Sequence, residues 1–139
     1  MPPMSDAQRD AFLAERRYGI LTTLRASGAP VSLPVWYEWD GASLRMFCHK
    51  ESGKLKRLKR DVRATVLVVN HPNEPENWVA FDGPIRVSSQ GGLELAERVF
   101  DLYYPPGDER RSVLESWRNM ADEWRLLELT PDSIRIHEE

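Results

Sequence analysis

Cysteine is almost absent from this chain, since Cys48 is the only one among 139 residues. This excludes an internal disulfide and a cysteine-rich metal site, and it is typical of a reducing cytoplasm. Histidine is scarce as well: His49, His71 and His137 lie far apart without the spacing of metal ligands, so we predict no metal. No histidine–acid pairing that could activate Cys48 is visible, and we interpret it as a small buried apolar residue.

Long apolar runs and an excess of positive charge are also missing. The first ten residues, MPPMSDAQRD, lack the apolar core of a signal peptide, and no run approaches membrane-spanning length. We therefore expect a cytoplasmic protein with no membrane partner. A net charge of −3 argues against a nucleic-acid partner for the chain as a whole. The length predicts one domain over residues 1–139.

The strongest local feature is the basic segment LRMFCHKESGKLKRLKRD, residues 44–61, in which six of the twelve residues at 49–60 are Lys or Arg. A short strand leads into a turn, and the turn opens a predicted helix. Ser52 is the predicted N-cap, Gly53 allows close approach to the backbone, and Lys54 adds a charge, a combination suited to one phosphate. The alternative is an ordinary solvated helix with one apolar side. That apolar side would consist of Leu55, Leu58 and Val62.

The remaining pattern predicts short strands separated by helices. A capping box at Ser5 and Gln8 opens a helix through about Arg17, and helical spacing recurs at 93–102 and 109–121. Alternation and turn residues predict strands at 20–25, 31–39, 43–48, 64–69, 78–87, 124–129 and 133–137. We expect 64–69 to be central and buried on both faces, and Gly83–Pro84 to mark a bulge or bend. Hairpin order favours a small, mainly β (α+β) barrel of six to seven mostly antiparallel strands with flanking helices.

Four segments in this order resemble the pyridoxamine 5′-phosphate oxidase-like FMN-binding split-barrel family. They are ILTTLRASGAPVSLPVWYEWDG, SGKLKRLKRDVRATVLV, WVAFDGPIRV and LLELTPDSIRI, and the match runs from about Phe12 to Ile136. Within the family the chain looks most like the actinobacterial flavin/deazaflavin oxidoreductases, many of which are similar to enzymes that use the deazaflavin F420 in place of FMN.

The resemblance implies a homodimer of split barrels with two cofactor sites between the subunits. It implies that Ser52 and Lys54 hold the cofactor phosphate, that Phe47 and Cys48 precede them on the strand, and that residues 32–36 lie along the ring. Those five residues are Ser32, Leu33, Pro34, Val35 and Trp36.

Some positions depart from the oxidases of the family. Trp78 stands where they carry a polar residue at the cofactor, Gly53 stands where they carry Arg, and LTPDSIRIHEE has no convincing counterpart of their substrate-binding end. These differences argue against vitamin B6 oxidase activity. Lys50 and Arg57 could neutralise the phosphate or, with Lys56 and Arg60, the oligoglutamate tail of F420.

The aromatic cluster Trp36–Tyr37–Glu38–Trp39 is expected to split between two faces of its strand. Alternation puts Trp36 with Glu38 and Tyr37 with Trp39. We favour Trp36 for a groove wall, where it would stack on a planar ring, and ordinary strand packing is the alternative. Tyr103 and Tyr104 are expected to pack within the chain, and the alternative is that they close the groove of the partner subunit.

The family resemblance implies an oxidoreductase that transfers hydride between F420, or alternatively FMN, and a small conjugated organic substrate. No acid–base residue is required, because the cofactor carries the redox chemistry, and a proton could come from solvent or from Tyr37. We therefore leave the catalytic residues unknown. The alternative from another class is a non-catalytic protein that binds or stores flavin, F420 or a tetrapyrrole.

Overall fold

The computed structural model describes residues 4–137. Helix α1, Asp6–Ala14, begins with the expected capping box, in which Ser5 and Gln8 each accept the other's backbone N–H. The helix ends three residues before the predicted Arg17. The reason is that Arg17 turns inward and its Nε donates to the carbonyl of Phe12 at 2.9 Å, which satisfies the helix end.

Within residues 4–137, eight antiparallel strands form one continuous sheet. They are β1 Gly19–Leu24, β2 Pro30–Val35, β3 Glu38–Trp39, β4 Leu44–His49, β5 Arg63–Val69, β6 Trp78–Ser88, β7 Trp124–Leu129 and β8 Ser133–Ile136. Their order is β2-β1-β5-β6-β7-β4-β3, and β8 pairs with β6. Three further helices flank the sheet: α2 Gly53–Arg60, α3 Gly92–Tyr103 and α4 Arg110–Arg118. This confirms the prediction of a mainly β (α+β) split barrel with flanking helices.

Strand β6 joins the two halves of the sheet. Residues 78–84 pair with β5, whereas residues 85–88 pair with β7. The neighbour changes at Gly83–Pro84, and a Cβ at Gly83 would lie 2.6 Å from the carbonyl oxygen of Thr130. We call β2, β1, β5, residues 78–84 and β8 the open half, and residues 85–88, β7, β4 and β3 the covered half.

The main core lies between the inner faces of these two halves. Phe81, Val66 and Leu21 from the open half meet Leu127 and Met46 from the covered half, and all are almost fully buried. Burial of each such side chain contributes about 1.5–3 kcal/mol, which makes this core the principal stabilising element.

The second predicted strand is broken, so seven predicted strands become eight. Strand β2 ends at Val35 and β3 begins at Glu38. Tyr37 leaves the ladder because its ring is buried and its hydroxyl donates to the carbonyl of Leu13 at 3.0 Å. A contact far along the chain thus overrides the β propensity of the aromatic run.

The prediction that residues 64–69 are buried on both faces is wrong for this chain. Val66 and Val68 are fully buried, but Leu67 and Val69 on the other face are 36% and 44% exposed. Helix α3 packs on β4 and β7, and no helix among residues 4–137 covers this face of β5.

Two helices are shorter than expected. Helix α2 ends at Arg60, so Val62 is not on its apolar side and is 48% exposed. Helix α4 ends at Arg118 rather than near residue 121, and a 3₁₀ turn, Ala121–Glu123, follows. Within residues 4–137, no helix combines the length and apolarity needed to cross a membrane.

Candidate functional site

The turn before α2 is built as the sequence predicts. The backbone N–H of Ser52 donates to the carbonyl of His49 at 2.9 Å, which closes the turn. Ser52 is the N-cap, and its hydroxyl accepts the N–H of Lys54 at 3.3 Å. The backbone N–H of Leu55 donates to the carbonyl of Ser52 at 3.1 Å, and the N–H of Gly53 has no acceptor within the helix. The helix dipole favours an anion at this end.

Arg57 adds a fixed positive charge at this helix start. Its Nε donates to the hydroxyl of Thr23 at 2.7 Å, and Thr23 is almost fully buried in β1. A Cβ at Gly53 would lie 3.3 Å from Nη1 of Arg57, so the guanidinium lies back over the first residue of α2. Arg57 is therefore held beside the N-terminus of its own helix.

The two predicted lysines differ in their surroundings. Lys54 is half-buried and makes no ion pair within the described part of the chain. Lys50 lies 3.8 Å from Glu123, and its backbone N–H donates to the Glu123 carbonyl. The structure thus brings Ser52, Lys54 and Arg57 together and directs Lys50 towards the start of β7.

Cys48 is buried on the inner side of β4, directly before this turn. Burial raises the pKa of its thiol, although the nearby charges of Lys54 and Arg125 and the hydroxyl of Ser52 act in the opposite direction. A buried thiol with a raised pKa is a poor nucleophile, which agrees with the interpretation of Cys48 as a packed apolar residue.

A second feature is a groove of about 570 Å³ on the outer face of the open half. Most of its wall is apolar, and its polar part includes the hydroxyls of Thr22, Ser32 and Thr65. The hydroxyl oxygens of Thr22 and Ser32 are 2.7 Å apart across the β1–β2 ladder. The apolar lining consists of Ile20, Leu67, Val69, Trp78 and Ala80. A flat, mostly apolar wall with a few hydroxyls suits one face of a planar ring.

Arg135, which lines the groove, belongs to a charged pair at its border. Arg135 of β8 donates to both carboxylate oxygens of Asp82, at 2.6 and 3.0 Å, and Thr65 donates to the same carboxylate at 2.7 Å. The hydrogen bond from Arg135 lowers the pKa of Asp82, and the Thr65 bond contributes in the same direction. Asp82 is therefore ionised at neutral pH and has no proton to give.

The helix start and the groove share strand β1. Thr23, which holds Arg57, and Thr22, which lines the groove, are consecutive residues and point to opposite faces of that strand. The arrangement therefore places a fixed cationic site and an apolar groove on the two sides of one hairpin.

Only part of the predicted 32–36 segment faces this groove. Ser32 lines it, and Pro34 is exposed on the same face of β2. Leu33 and Val35 point the other way and pack in the main core. Trp78, predicted from the resemblance alone, does line the groove.

The structure places Trp36 in an aromatic cluster and not at the wall of the groove, whereas Phe47 lies on β4 before the Ser52 turn, as expected. Tyr103 stacks on Trp36 with ring centroids 5.2 Å apart and planes 10° from parallel. Phe47 meets the same indole edge-on at 5.9 Å, and both pack beneath α3. The face of the Trp36 indole therefore packs against Tyr103 on the covered half and is not exposed in the groove.

Tyr37 does not fit the role of proton donor. Burial raises the pKa of its hydroxyl, which already donates to the Leu13 carbonyl. The expected packing role of Tyr103 agrees with its burial in the second cluster, where burial raises its pKa to about 12.

Sequence reasoning missed the groove residues that come from β1 and β5. Thr22 and Thr65 lie in predicted strands without any motif of their own, and the Asp82–Arg135 pair joins positions 53 residues apart. The available signal was the alternation in WVAFDG, which puts Ala80 and Asp82 on the face opposite Val79 and Phe81.

Solved structures of the same fold include flavin-related proteins. A conserved hypothetical protein of Mycobacterium tuberculosis is 22% identical, with a TM-score of 0.77, and the match covers 96% of this chain and 84% of the other. A structure named F420 reductase is 21% identical, with a TM-score of 0.73 and coverage of 91% and 94%. An FMN-binding, pyridoxamine 5′-phosphate oxidase-related protein of Nostoc punctiforme is 16% identical, with a TM-score of 0.61 and coverage of 94% and 78%.

At these identities the structures show a common fold and no more. A search of curated protein sequences found no significant match. The family comparison is more decisive, because a sequence model described as pyridoxamine 5′-phosphate oxidase matches residues 5–137, nearly the whole chain. Together with the split barrel, this match shows that the chain belongs to the pyridoxamine 5′-phosphate oxidase family.

Proposed function

We propose that this protein is an oxidoreductase that transfers hydride between F420 and a small conjugated organic substrate such as an enone, enoate, imine or quinone. The observation that carries the proposal is the cationic helix start, where Lys54 and the anchored guanidinium of Arg57 flank the Ser52 cap. Such a site fits a phosphate that F420 and FMN share.

In this proposal Ser52, Lys54 and Arg57 bind the phosphate, and the hydroxyls of Ser32 and Thr22 orient one face of the ring. The deazaflavin supplies the hydride chemistry when bound. Leu67 and Val69 exclude water from the reacting face. Asp82 is ionised and Tyr37 is buried, so a proton comes from solvent.

We propose that the working unit is a homodimer. The outer face of the open half exposes Leu67 and Val69 beside the groove, and burial of these side chains against a second copy would be favourable. Because the cationic helix start and the groove lie on opposite sides of β1, a pair of chains can bring the two features together at the interface. The proposed compartment is the cytoplasm, since Cys48 is the only cysteine.

A non-catalytic flavin or F420 carrier is the second candidate. The observation in its favour is that Arg135 is the one titratable side chain among the described residues that line the groove, and it is paired with Asp82. The two functions are separated by mixing the reduced cofactor with enones, imines and quinones. Multiple turnovers support the oxidoreductase, and tight binding without turnover supports the carrier.

The phosphate assignment is tested by charge reversal at Lys54. We expect Lys54→Glu to weaken cofactor binding tenfold or more, because a charge-assisted contact worth about 1.5–3 kcal/mol becomes a repulsion. The matched control is Lys59→Glu, which makes the same change on the exposed side of α2 and should leave cofactor binding within about twofold. If the two variants changed the cofactor dissociation constant equally, the phosphate would not bind at this helix start.

The choice of cofactor is tested by parallel titrations with F420 and FMN. F420 carries an acidic tail beyond the phosphate, and the exposed side chains of Lys56 and Arg60 lie on the same helix. Several exposed pairs, each worth about 0–1 kcal/mol, should together give F420 a preference that shrinks at high salt. Tighter binding of FMN would make FMN the cofactor and leave the basic helix without this role.

A further inference from the structure

Strand β6 loses its neighbour on one side after Pro84. The β5 ladder ends with Arg63 opposite Pro84, and one more bond, from the N–H of Ile85 to the carbonyl of Val62 at 2.9 Å, closes it. The chain before Val62 then leaves the sheet towards α2. Residues 85–88 therefore have β7 on one side and an open edge on the other.

The open edge presents a backbone donor and acceptor at Val87. Since the N–H of Ile85 points to Val62 and away from β7, the N–H and C=O of Val87, two residues on, point the same way. Within residues 4–137 neither group has a partner on that side. Unpaired strand edges of this kind are templates for another strand.

An apolar groove of about 480 Å³ runs between this edge and α2. Its exposed apolar side chains are Val62 and Val87, which are 48% and 40% exposed. Leu55, Leu58 and Ile85 complete the apolar lining. A strand on one side and a helix on the other is the geometry in which extended peptides bind by strand addition.

The charges around the groove are all positive. Lys59, Arg86 and Arg125 line it, and no acidic residue does so within the described part of the chain. Arg86 pairs with Glu128 at 2.9 Å, and Arg125 donates to the carbonyls of Asp122 and Trp124. Lys59 makes no ion pair among residues 4–137. In a chain of net charge −3, this local excess selects an acidic ligand.

We propose that this groove binds an extended acidic segment of a partner protein, which adds to the free edge of β6. The main chain of the segment pairs with Val87, its alternate apolar side chains enter the groove, and its carboxylates face Lys59 and the two arginines. The proposal is independent of the cofactor, since none of its residues belongs to the phosphate site or the ring groove.

The test uses a synthetic peptide, fluorescein-labelled (Glu-Val)₄, with (Lys-Val)₄ as the charge control. Anisotropy titrations of the purified protein at low salt should show saturable binding of the acidic peptide and at least about tenfold weaker binding of the basic one. Hydrogen exchange of the Val87 amide should slow when the acidic peptide is bound. No saturable binding, or equal binding of both peptides, overturns the proposal.

Two pairs of variants locate the contact. Val87→Pro removes the outward N–H without removing a bond to β7, so the fold is kept, and the affinity should fall about tenfold. Val87→Ala keeps the backbone N–H, so its peptide affinity should fall less than that of Val87→Pro. Lys59→Glu should weaken the peptide about fivefold, whereas Lys56→Glu, on the same helix outside the groove, should change it less than twofold.

The remaining arm separates this groove from the cofactor site. Saturating FMN, which has the phosphate and the ring but no acidic tail, should leave peptide affinity unchanged, because the peptide lies along β6 and not at the start of α2. Competition between FMN and the peptide would show that the groove belongs to the cofactor, and unchanged binding to Val87→Pro would show that no strand is added. Either result overturns the proposal.

Discussion

The two halves of the sheet carry similar apolar residues on their outer faces, but only one half is covered by its own chain. On the covered half, Leu126 and Phe47 lie beneath α3, whose Leu95 and Val99 are almost fully buried. On the open half, Leu67 and Val69 remain more than one-third exposed.

This difference shows where the molecule is incomplete. Monomeric proteins seldom leave a contiguous apolar face uncovered, and this is the surface on which we propose that the cofactor and a second chain bind. On the covered half, in contrast, the aromatic rings pack against one another. The ring centroid of Trp117 lies 5.4 Å from that of Trp124 and 6.0 Å from that of Trp36. On our proposal, the two faces therefore separate packing from binding.

The largest effect is expected on the covered half. Leu95→Ala removes a fully buried side chain from beneath α3, and we expect the free energy of unfolding to fall by about 2–5 kcal/mol. Leu102→Ala on the same helix is the control, since Leu102 is 41% exposed and should cost less than about 1 kcal/mol. Urea unfolding of both variants measures the difference. A small effect of Leu95→Ala would mean that α3 contributes little to this half.

The next effect concerns assembly through the open half. Leu67→Asp places a charge at the centre of the proposed interface, and we expect the dimer dissociation constant to rise about a hundredfold or more. Leu102→Asp makes the same change on the outer side of α3 and should leave assembly unaltered. Sedimentation of both variants at low micromolar concentration decides the matter. If the wild-type protein sediments as a monomer, or if Leu67→Asp leaves the dimer intact, the exposed face does not form a dimer interface and only a ligand could cover it.

Local patterns predicted most of this fold, because strands, turns and the α2 cap depend on neighbouring residues. The predictions failed where a contact with a residue farther along the chain determines the end of a helix or strand. Arg17 ends α1 by reaching back to Phe12, and Tyr37 breaks a strand by bonding Leu13.

The candidate site divides in the same way. Ser52 and Lys54 were predictable from one turn, whereas the anchoring of Arg57 by Thr23 spans 34 residues. Alternation correctly separates the faces of a strand, but it does not tell which face its own chain will cover. That is why Trp36 was assigned to the groove and β5 was expected to be buried on both faces.

A third prediction addresses the link between the two halves. Arg17 is 2% exposed; it donates to Glu74 of the β5–β6 loop at 2.7 and 2.9 Å, and its carbonyl accepts the Tyr103 hydroxyl from α3. The hydrogen bond from Arg17 lowers the pKa of Glu74 from 4.5 to about 2.

Because the folded pKa lies below the unfolded one, this stabilisation is complete above about pH 4.5 and is lost as the pH falls towards 2. We expect Glu74→Gln to lower stability at neutral pH and to flatten the acid dependence in that window. Glu76→Gln, at an exposed position of the same loop, should leave the pH profile unchanged. Thermal unfolding from pH 7 to pH 2.5 measures it, and a profile unaffected by Glu74→Gln would locate the acid sensitivity elsewhere.

The smallest effect separates the two faces at the level of single side chains. Ser32 faces the groove and shares a hydrogen bond with Thr22, whereas Trp36, four residues later, is stacked under Tyr103 on the covered half. We expect Ser32→Ala to weaken cofactor binding about two- to tenfold, the equivalent of about 0.5–1.5 kcal/mol for one hydrogen bond. Trp36→Phe should lower thermal stability and leave cofactor affinity within about twofold, because its ring contacts protein and not ligand. Titrations of both variants with F420 and FMN measure the contrast. If Trp36→Phe weakened the cofactor more than Ser32→Ala did, the aromatic cluster would belong to the site, and the separation of structure and function by face would not hold.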